Sequence, residues 1–508
     1  MTHLSLPPIK SAGIVGAGAM GKGIAQLCVQ AGVRTFLHDS QKGAIDNAIY
    51  FINKIWNRQV EKGLITHEQA SEWSSLLSSA DQLQDIAGCD LIIEAIVEKL
   101  LAKQDLFQSL ESLASKNTIL ATNTSSLSIA AIASECKHPE RVIGFHFFNP
   151  APLMKVVEII PGHRTSEAVV VRVKELGNEM GHFTALTTDT PGFLINHAGR
   201  AYITEALKLL GEKVADHYTI DCILTSQGGF RMGPFSLMDL TALDVTHIAT
   251  EAIYHQYYGE PKLRPSIITK RRLEAGLLGR KSGEGFYSYT DGNMTVPSTV
   301  HHPASQPVPI WIGTEDESAK GSISRLINDA GWQLEKGKSP SSDALCIITP
   351  LGEDAANCIL RLGIDPKRCI AVDTFGDLSK HRTIMTNPAT LIQYKNAALT
   401  LFSHDGTPVS AIRDSNGFVF QRVIACIVNV ACDIAQQGIA TPATIDKAVV
   451  LGLGYPIGPL AIGDHYGSSR ILSILQSMHR DTGDPRYRPS PWLRRRANLS
   501  LSLSHTEI

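Results

Sequence analysis

Six residues near the start of the chain, Gly16-Ala17-Gly18-Ala19-Met20-Gly21, restrict its fold more than any other feature. Residues 9–15 before them read as a short buried strand, and residues 22–29 after them have helical periodicity. Strand, G-x-G-x-x-G and helix in that order describe the first turn of a dinucleotide-binding α/β sheet. Gly16 permits the tight turn, Gly18 lets a pyrophosphate approach the backbone, and Gly21 lets the helix pack on the strand. A second strand, 32–38, ends in Asp39, about 20 residues past the glycines, where an acid meets the adenosine ribose hydroxyls. A carboxylate there repels a 2′-phosphate, so the expected cofactor is NAD rather than NADP.

Residues 41–75 are polar and helix-like, with a break at Lys62-Gly63. Lys54, Arg58 and Lys62 could meet a phosphorylated ligand there, or form a solvated helix face. The sheet then resumes with apolar strands at 90–95, 118–123, 141–148 and 155–160. The last two, separated by Asn149-Pro150-Ala151-Pro152, read as a hairpin.

Composition narrows the function classes. The 508 residues allow about three or four domains. With 43% hydrophobic and 19% charged residues, disorder is excluded as the main state. The formal charge of −2 and the lack of a basic stripe argue against a nucleic-acid binder. Nine cysteines without a C-x-x-C pair fit neither a disulfide framework nor a structural zinc site, and suit a reducing compartment. No His/Cys cluster has metal-ligand spacing. No run reaches about 18 apolar residues, and the start lacks a basic region before an apolar one. The expectation is a cytoplasmic enzyme without a membrane partner.

His146 and Glu158 face each other across the proposed hairpin, and a histidine oriented by a carboxylate is a common acid/base unit. Around them stand Glu94-Ala95-Ile96-Val97-Glu98, Asn123-Thr124-Ser125-Ser126-Leu127, Gly144-Phe145-His146-Phe147-Phe148-Asn149-Pro150, Val156-Val157-Glu158, Asp189-Thr190-Pro191-Gly192-Phe193-Leu194-Ile195-Asn196 and Gly279-Arg280-Lys281-Ser282-Gly283-Glu284-Gly285-Phe286-Tyr287. Over residues 10–290 these segments resemble, in order and spacing, the L-3-hydroxyacyl-CoA dehydrogenase family. The resemblance implies a Rossmann-type α/β nucleotide domain followed by an all-α domain. It implies that His146 takes the proton of the substrate 3-hydroxyl, that Glu158 holds the imidazole, and that Ser125 and Asn196 bind the substrate oxygens. It places Glu98, Lys103 and Asn123 near the cofactor and requires no metal. Its implied partners are an acyl-CoA and a second copy of the chain.

The chain also repeats itself. Gly192-Phe193, Thr219-Ile220-Asp221, Gly233-Pro234 and Asp239 return 225 residues later as Gly417-Phe418, Thr444-Ile445-Asp446, Gly458-Pro459 and Asp464. Gln421 stands where Asn196 stands in the first copy. The expected organisation is a nucleotide domain at 1–188, a helical domain at 189–290, a linker at 291–309, a degenerate Rossmann-like region at 310–405 and a second helical copy at 406–508. In the degenerate region, residues 343–348 echo the strand at 90–93, residues 368–373 the strand before Asn123, and residues 383–388 the strand ending in Asn149-Pro150. No glycine fingerprint and no counterpart of His146 occurs there, so one active site per chain is expected.

This long form resembles bacterial family members of phenylacetate catabolism that act on 3-hydroxyadipyl-CoA, down to the basic tail Tyr487 to Arg496. That tail could meet CoA phosphates or a dicarboxylate, or form a solvated patch. Phe230-Arg231-Met232 departs from the Tyr-Pro that usually precedes this methionine, while the second copy keeps Tyr455-Pro456. Two other readings remain open: a 3-hydroxybutyryl-CoA dehydrogenase, and a non-catalytic NAD-binding assembly subunit.

Overall fold

The computed structural model describes residues 7–297 and 304–507, so residues 298–303 of the expected linker lie outside the described residues. Two compact units divide the chain. One is Met1–His197 with Gln437–Leu453; the other is Ala198–Gln436 with Gly454–Ile508.

The first unit is a sheet with helices on both faces. In chain order its elements are β1 (Ser11–Val15), α1 (Ala19–Gln30), β2 (Arg34–His38), α2 (Ala44–Glu61), α3 (His67–Leu76), β3 (Leu77–Ser79), β4 (Leu91–Glu94), α4 (Leu100–Leu113), β5 (Ile119–Thr122), α5 (Ile129–Ala133), β6 (Val142–Phe147), β7 (Val156–Pro161), α6 (Glu167–Glu179), β8 (Phe183–Leu186) and α7 (Ile195–Ala198). The strands lie in the order β3-β2-β1-β4-β5-β6-β7-β8. All neighbours are parallel except β6 and β7, the expected hairpin. The central strands β4 (LIIE) and β5 (ILAT) are buried at every position, and apolar except at their carboxyl ends, because both faces are covered. Ile14, Ile93, Ala121 and Ile143 join one core, and Val15, Ile92, Leu120 and Val142 the other. The order reverses at β1, which places the glycine loop at the switch point where such sheets bind ligands.

The second unit holds α8 (Arg200–Gly211), α9 (His217–Ser226), α10 (Pro234–Thr241), α11 (Leu243–Gln256), α12 (Ile267–Glu274) and a hairpin of β9 (Tyr289–Thr290) and β10 (Asn293–Met294). The segment from 238 to 254, apolar at helical spacing, is two helices, broken at Ala242, whose φ is positive at 64°. An apolar periodicity runs through such a break undisturbed, so the pattern did not show it. A second sheet follows: β11 (Ile310–Gly313), α13 (Glu317–Asp329), β12 (Leu345–Ile348), α14 (Ala355–Leu362), β13 (Cys369–Val372), β14 (Arg382–Thr386), α15 (Ile392–Phe402) and β15 (Val409–Ile412). Its order is β11-β12-β13-β14-β15, parallel except between β13 and β14.

This order repeats β4 through β8, with the antiparallel pair in the same place. The strand correspondences read from sequence are therefore off by one. β12 takes the place of β5, β13 that of β6 and β14 that of β7, because the antiparallel pair, not the apolar composition, fixes the alignment.

The chain closes with α16 (Val419–Gln436), α17 (Pro442–Leu453), α18 (Pro459–Tyr466), α19 (Ser468–Thr482) and α20 (Pro491–Asn498). Within the second unit, α16 packs along α8, its counterpart one repeat earlier, and also against α18, α19 and α20. Phe230 and Tyr455, 225 residues apart, meet edge to face at 5.0 Å. Asp239 accepts bonds from the amides of Phe286 and Tyr287, and Asp464 accepts them from the Leu503 amide and Ser502 hydroxyl. The same aspartate thus pins the closing segment of each repeat.

By length and mean composition alone, one helix among the described residues, α16, could cross a bilayer, although Gln421, Arg422, Asn429 and Asp433 interrupt its apolar run. It is 89% buried inside the protein, and Arg422 within it pairs with Glu205 at 2.7 Å, which marks a core helix. The basic tail is partly internal too: Arg496 lies over the Trp492 ring and donates to the His505 carbonyl.

Candidate active site

The antiparallel ladder puts His146 of β6 directly opposite Glu158 of β7. Their side chains meet at 2.6 Å between Nδ1 and Oε2. An ionised carboxylate only accepts, so Nδ1 donates and the Nε2 lone pair is left for a substrate proton. The other oxygen of Glu158, Oε1, accepts the amides of Leu194 (3.0 Å) and Ile195 (2.8 Å). Glu158 is fully buried and His146 is 4% exposed. The rings of Phe148 and Phe193 lie 4.4 and 5.8 Å from the imidazole. The carboxylate is thus held on both oxygens, and the imidazole has one orientation in which to act.

Ser125 lies in the loop after β5. Its amide and hydroxyl both donate to Glu98 Oε1, at 2.9 and 3.3 Å. The same oxygen accepts from the Thr124 hydroxyl and from the amide and hydroxyl of Ser126. Burial pushes Glu98 up, but Lys103 and these donors outweigh it and hold the carboxyl below its usual range. Asn123 Oδ1 accepts the Phe147 amide at 2.8 Å, which ties the Ser125 loop to the strand carrying His146. Asn196 follows Ile195 on α7, directly after the two amides that hold Glu158.

Lys103 is 1% exposed, with its ammonium 2.6 Å from Glu94 and 3.2 Å from Glu98. Its charge therefore reaches the site through Glu98. Glu94 had no role from sequence. It is fully buried and accepts from Lys103, the Thr122 hydroxyl and the Ile96 amide. Its signal was an acid at the end of an otherwise apolar strand. Asp189 was also missed as a support; it accepts from Ser128, Ile129 and Ala130 and so caps α5.

The glycine loop fits a dinucleotide. Gly16 has φ of 106°, and a β-carbon there would lie 2.6 Å from the Ala95 carbonyl. One on Gly21 would lie 1.7 Å from the Gly16 carbonyl. One on Gly18 would meet nothing within 4 Å. The outer glycines are thus demanded by the protein's own packing, and the middle one faces open space. No side chain caps α1, so its N-terminal amides suit a phosphate. Asp39 accepts the Ala17 amide at 2.7 Å, which brings its carboxylate onto the same loop. Among the described residues no group of three or more His, Cys, Asp or Glu is arranged to hold a metal.

Family models match this arrangement. That of the 3-hydroxyacyl-CoA dehydrogenase NAD binding domain covers residues 11–190; that of the C-terminal domain covers 192–289 and again 417–502. The chain belongs to the 3-hydroxyacyl-CoA dehydrogenase family. It is an NAD-dependent oxidoreductase acting on a CH–OH group. The chain is 34% identical to 3-hydroxyadipyl-CoA dehydrogenase of Escherichia coli, over 97% of this chain and 98% of that one. It is 40% identical to a probable 3-hydroxybutyryl-CoA dehydrogenase of Deinococcus radiodurans, over 54% of this chain and 99% of the relative. The crystal structure of an Escherichia coli 3-hydroxybutyryl-CoA dehydrogenase superposes with a TM-score of 0.84 at 33% identity, covering 97% and 99% of the two chains. Dehydrogenases of the family thus exist both at this length and at about half of it.

Proposed function

We propose that the chain oxidises a (3S)-3-hydroxyacyl-CoA to the 3-oxoacyl-CoA at one site per chain. The observation that carries this reading is the buried His146–Glu158 pair, with Nδ1 fixed and Nε2 free to act. His146 accepts the 3-hydroxyl proton at Nε2, and Glu158 stabilises the imidazolium that results. Ser125 and Asn196 hold the substrate oxygens, which fixes C3 in one attitude. Gly16, Gly18, Gly21 and Asp39 would hold the cofactor, with Glu98, Lys103 and Asn123 near it. NAD, when bound, supplies the acceptor for the hydride leaving C3.

The second half is a copy whose chemistry has gone. The β13–β14 hairpin pairs Ile370, Ala371 and Val372 with Thr386, Met385 and Ile384, so no rung carries a histidine and a carboxylate. Gln421, at the position of Asn196, spends its side chain on the Gly352 amide, the Pro350 carbonyl and Asp373. The similarity to the Escherichia coli 3-hydroxyadipyl-CoA dehydrogenase over nearly the whole chain favours a 3-hydroxyadipyl-CoA substrate and a place in phenylacetate catabolism. The working form is a cytoplasmic homodimer, with neither nucleic acid nor membrane as partner.

The test follows NADH absorbance with acetoacetyl-CoA, then compares rates across 3-hydroxyacyl-CoAs of increasing length, 3-hydroxyadipyl-CoA included. Turnover with the highest kcat/KM on the dicarboxylate is expected. Preference for 3-hydroxybutyryl-CoA would move the substrate assignment to the short acyl chain. NADH binding without turnover would favour the assembly subunit.

A further inference from the structure

The first unit is not contiguous in sequence. Residues 437–453, from the second repeat, belong to it. They are attached at three places. The Thr188 amide, just past the edge strand β8, donates to the Ile439 carbonyl at 3.1 Å. Lys447 of α17 lies over the Phe183 ring of β8, 4.5 Å from its centroid. Gly452, near the end of α17, sits against Ile195 and Val156. A β-carbon on it would lie 2.8 and 3.1 Å from Ile195 Cδ1 and Cγ2, and 3.4 Å from Val156 Cγ1.

The last contact reaches the catalytic pair through one residue. Ile195 is fully buried, and its amide donates to Glu158 Oε1 at 2.8 Å. Val156 opens the strand on which Glu158 stands two residues later. Displacing the Ile195 side chain therefore displaces a donor that orients Glu158, and with it the partner of His146. No group on α17 needs to touch substrate for this to matter, because misplacement of an acid/base unit by about 1 Å can cost on the order of 100-fold in rate.

We propose that α17, contributed by the repeat that lacks catalytic residues, is a positioning element for the His146–Glu158 pair, and that Gly452 is the residue through which it acts. The catalytically silent half then has a defined duty: it braces the residues that orient Glu158. This inference rests on the dehydrogenase reading above.

The experiment uses the full chain, with acetoacetyl-CoA and NADH as the probe. Gly452→Val is expected to lower kcat about 10-fold or more, with KM for NADH unchanged. Adding Ile195→Val, which removes the Cδ1 atom facing Gly452, is expected to restore kcat to within about 3-fold of the parent. Because trimming Ile195 would also relieve any overpacking, the urea midpoint is measured alongside: a kcat loss in Gly452→Val at an unchanged midpoint separates positioning from folding. If Gly452→Val does not fold, Gly452→Ala carries the same test with a smaller loss and the same recovery. Unchanged kcat in the glycine variant, or a loss that Ile195→Val leaves unrepaired, overturns the inference. An inactive parent chain overturns the dehydrogenase reading instead.

Discussion

A glutamine at position 146 approximates the size of histidine but has no nitrogen that can take up a proton. His146→Gln is expected to slow the chemical step by about 10²- to 10⁴-fold. Its NADH affinity, measured by fluorescence titration, should stay within a few-fold, because the glycine loop and Asp39 are untouched. Turnover near that of the parent would remove His146 from its role as base. The pair was legible in sequence through the family-like segments around it; spacing alone did not distinguish it from a strand histidine and an unrelated glutamate, and the register that puts 146 opposite 158 came from the structure. The supports around it were less legible. Lys103 and Glu94 form a buried ion pair between a helix and a strand nine positions apart, and such a pair has no periodic signature. Leu194 and Ile195 act through backbone amides, which every residue has, so nothing in their side chains announces the contact with Glu158.

Among the elements, the second hairpin keeps its strands and changes its chemistry. Asp373, fully buried just past β13, accepts from the Phe375 amide and from Gln421, while its other oxygen has no partner. Burial pushes this carboxyl up to about 6 from 3.8, against those two donors. A carboxyl raised on folding adds stability below its unfolded value and loses it as pH rises through the folded one. The parent is therefore expected to lose stability relative to Asp373→Asn as pH rises from 3.8 through about 6, judged by urea midpoints at several pH values. Parallel midpoints would show that folding leaves the Asp373 carboxyl at its unfolded value. Asp221, raised to about 6 chiefly by burial, contributes the same trend in both proteins and cancels in the comparison. Sequence reading found these strands but misaligned them. Apolar runs of four or five residues resemble one another, and only the antiparallel pair identifies which is which.

For the whole molecule, the C-terminal domain model matches twice, over residues 192–289 and 417–502, and the second sheet follows the strand order of β4 to β8; on the proposed reading, the first half holds the chemistry. Isothermal titration is expected to find one NADH per chain, since the second sheet matches only β4 to β8 and, among the described residues, has no counterpart of the turn from β1 through the glycine loop to α1; two would mean that the second sheet retains a cofactor site. The offset of 225 residues was visible in sequence, whereas the place of α17 on the first sheet was not, since a repeat shows what is copied and not where the copy docks. That placement also constrains how the protein is made. The ribosome delivers the eight strands first, while the helix that covers their edge at β8 is still to be translated. At about 5–20 residues per second, the roughly 250 intervening residues take on the order of 10–50 s to emerge. During that interval an unpaired strand edge faces the cell, and it is there that chaperone capture or mispairing between nascent chains would begin.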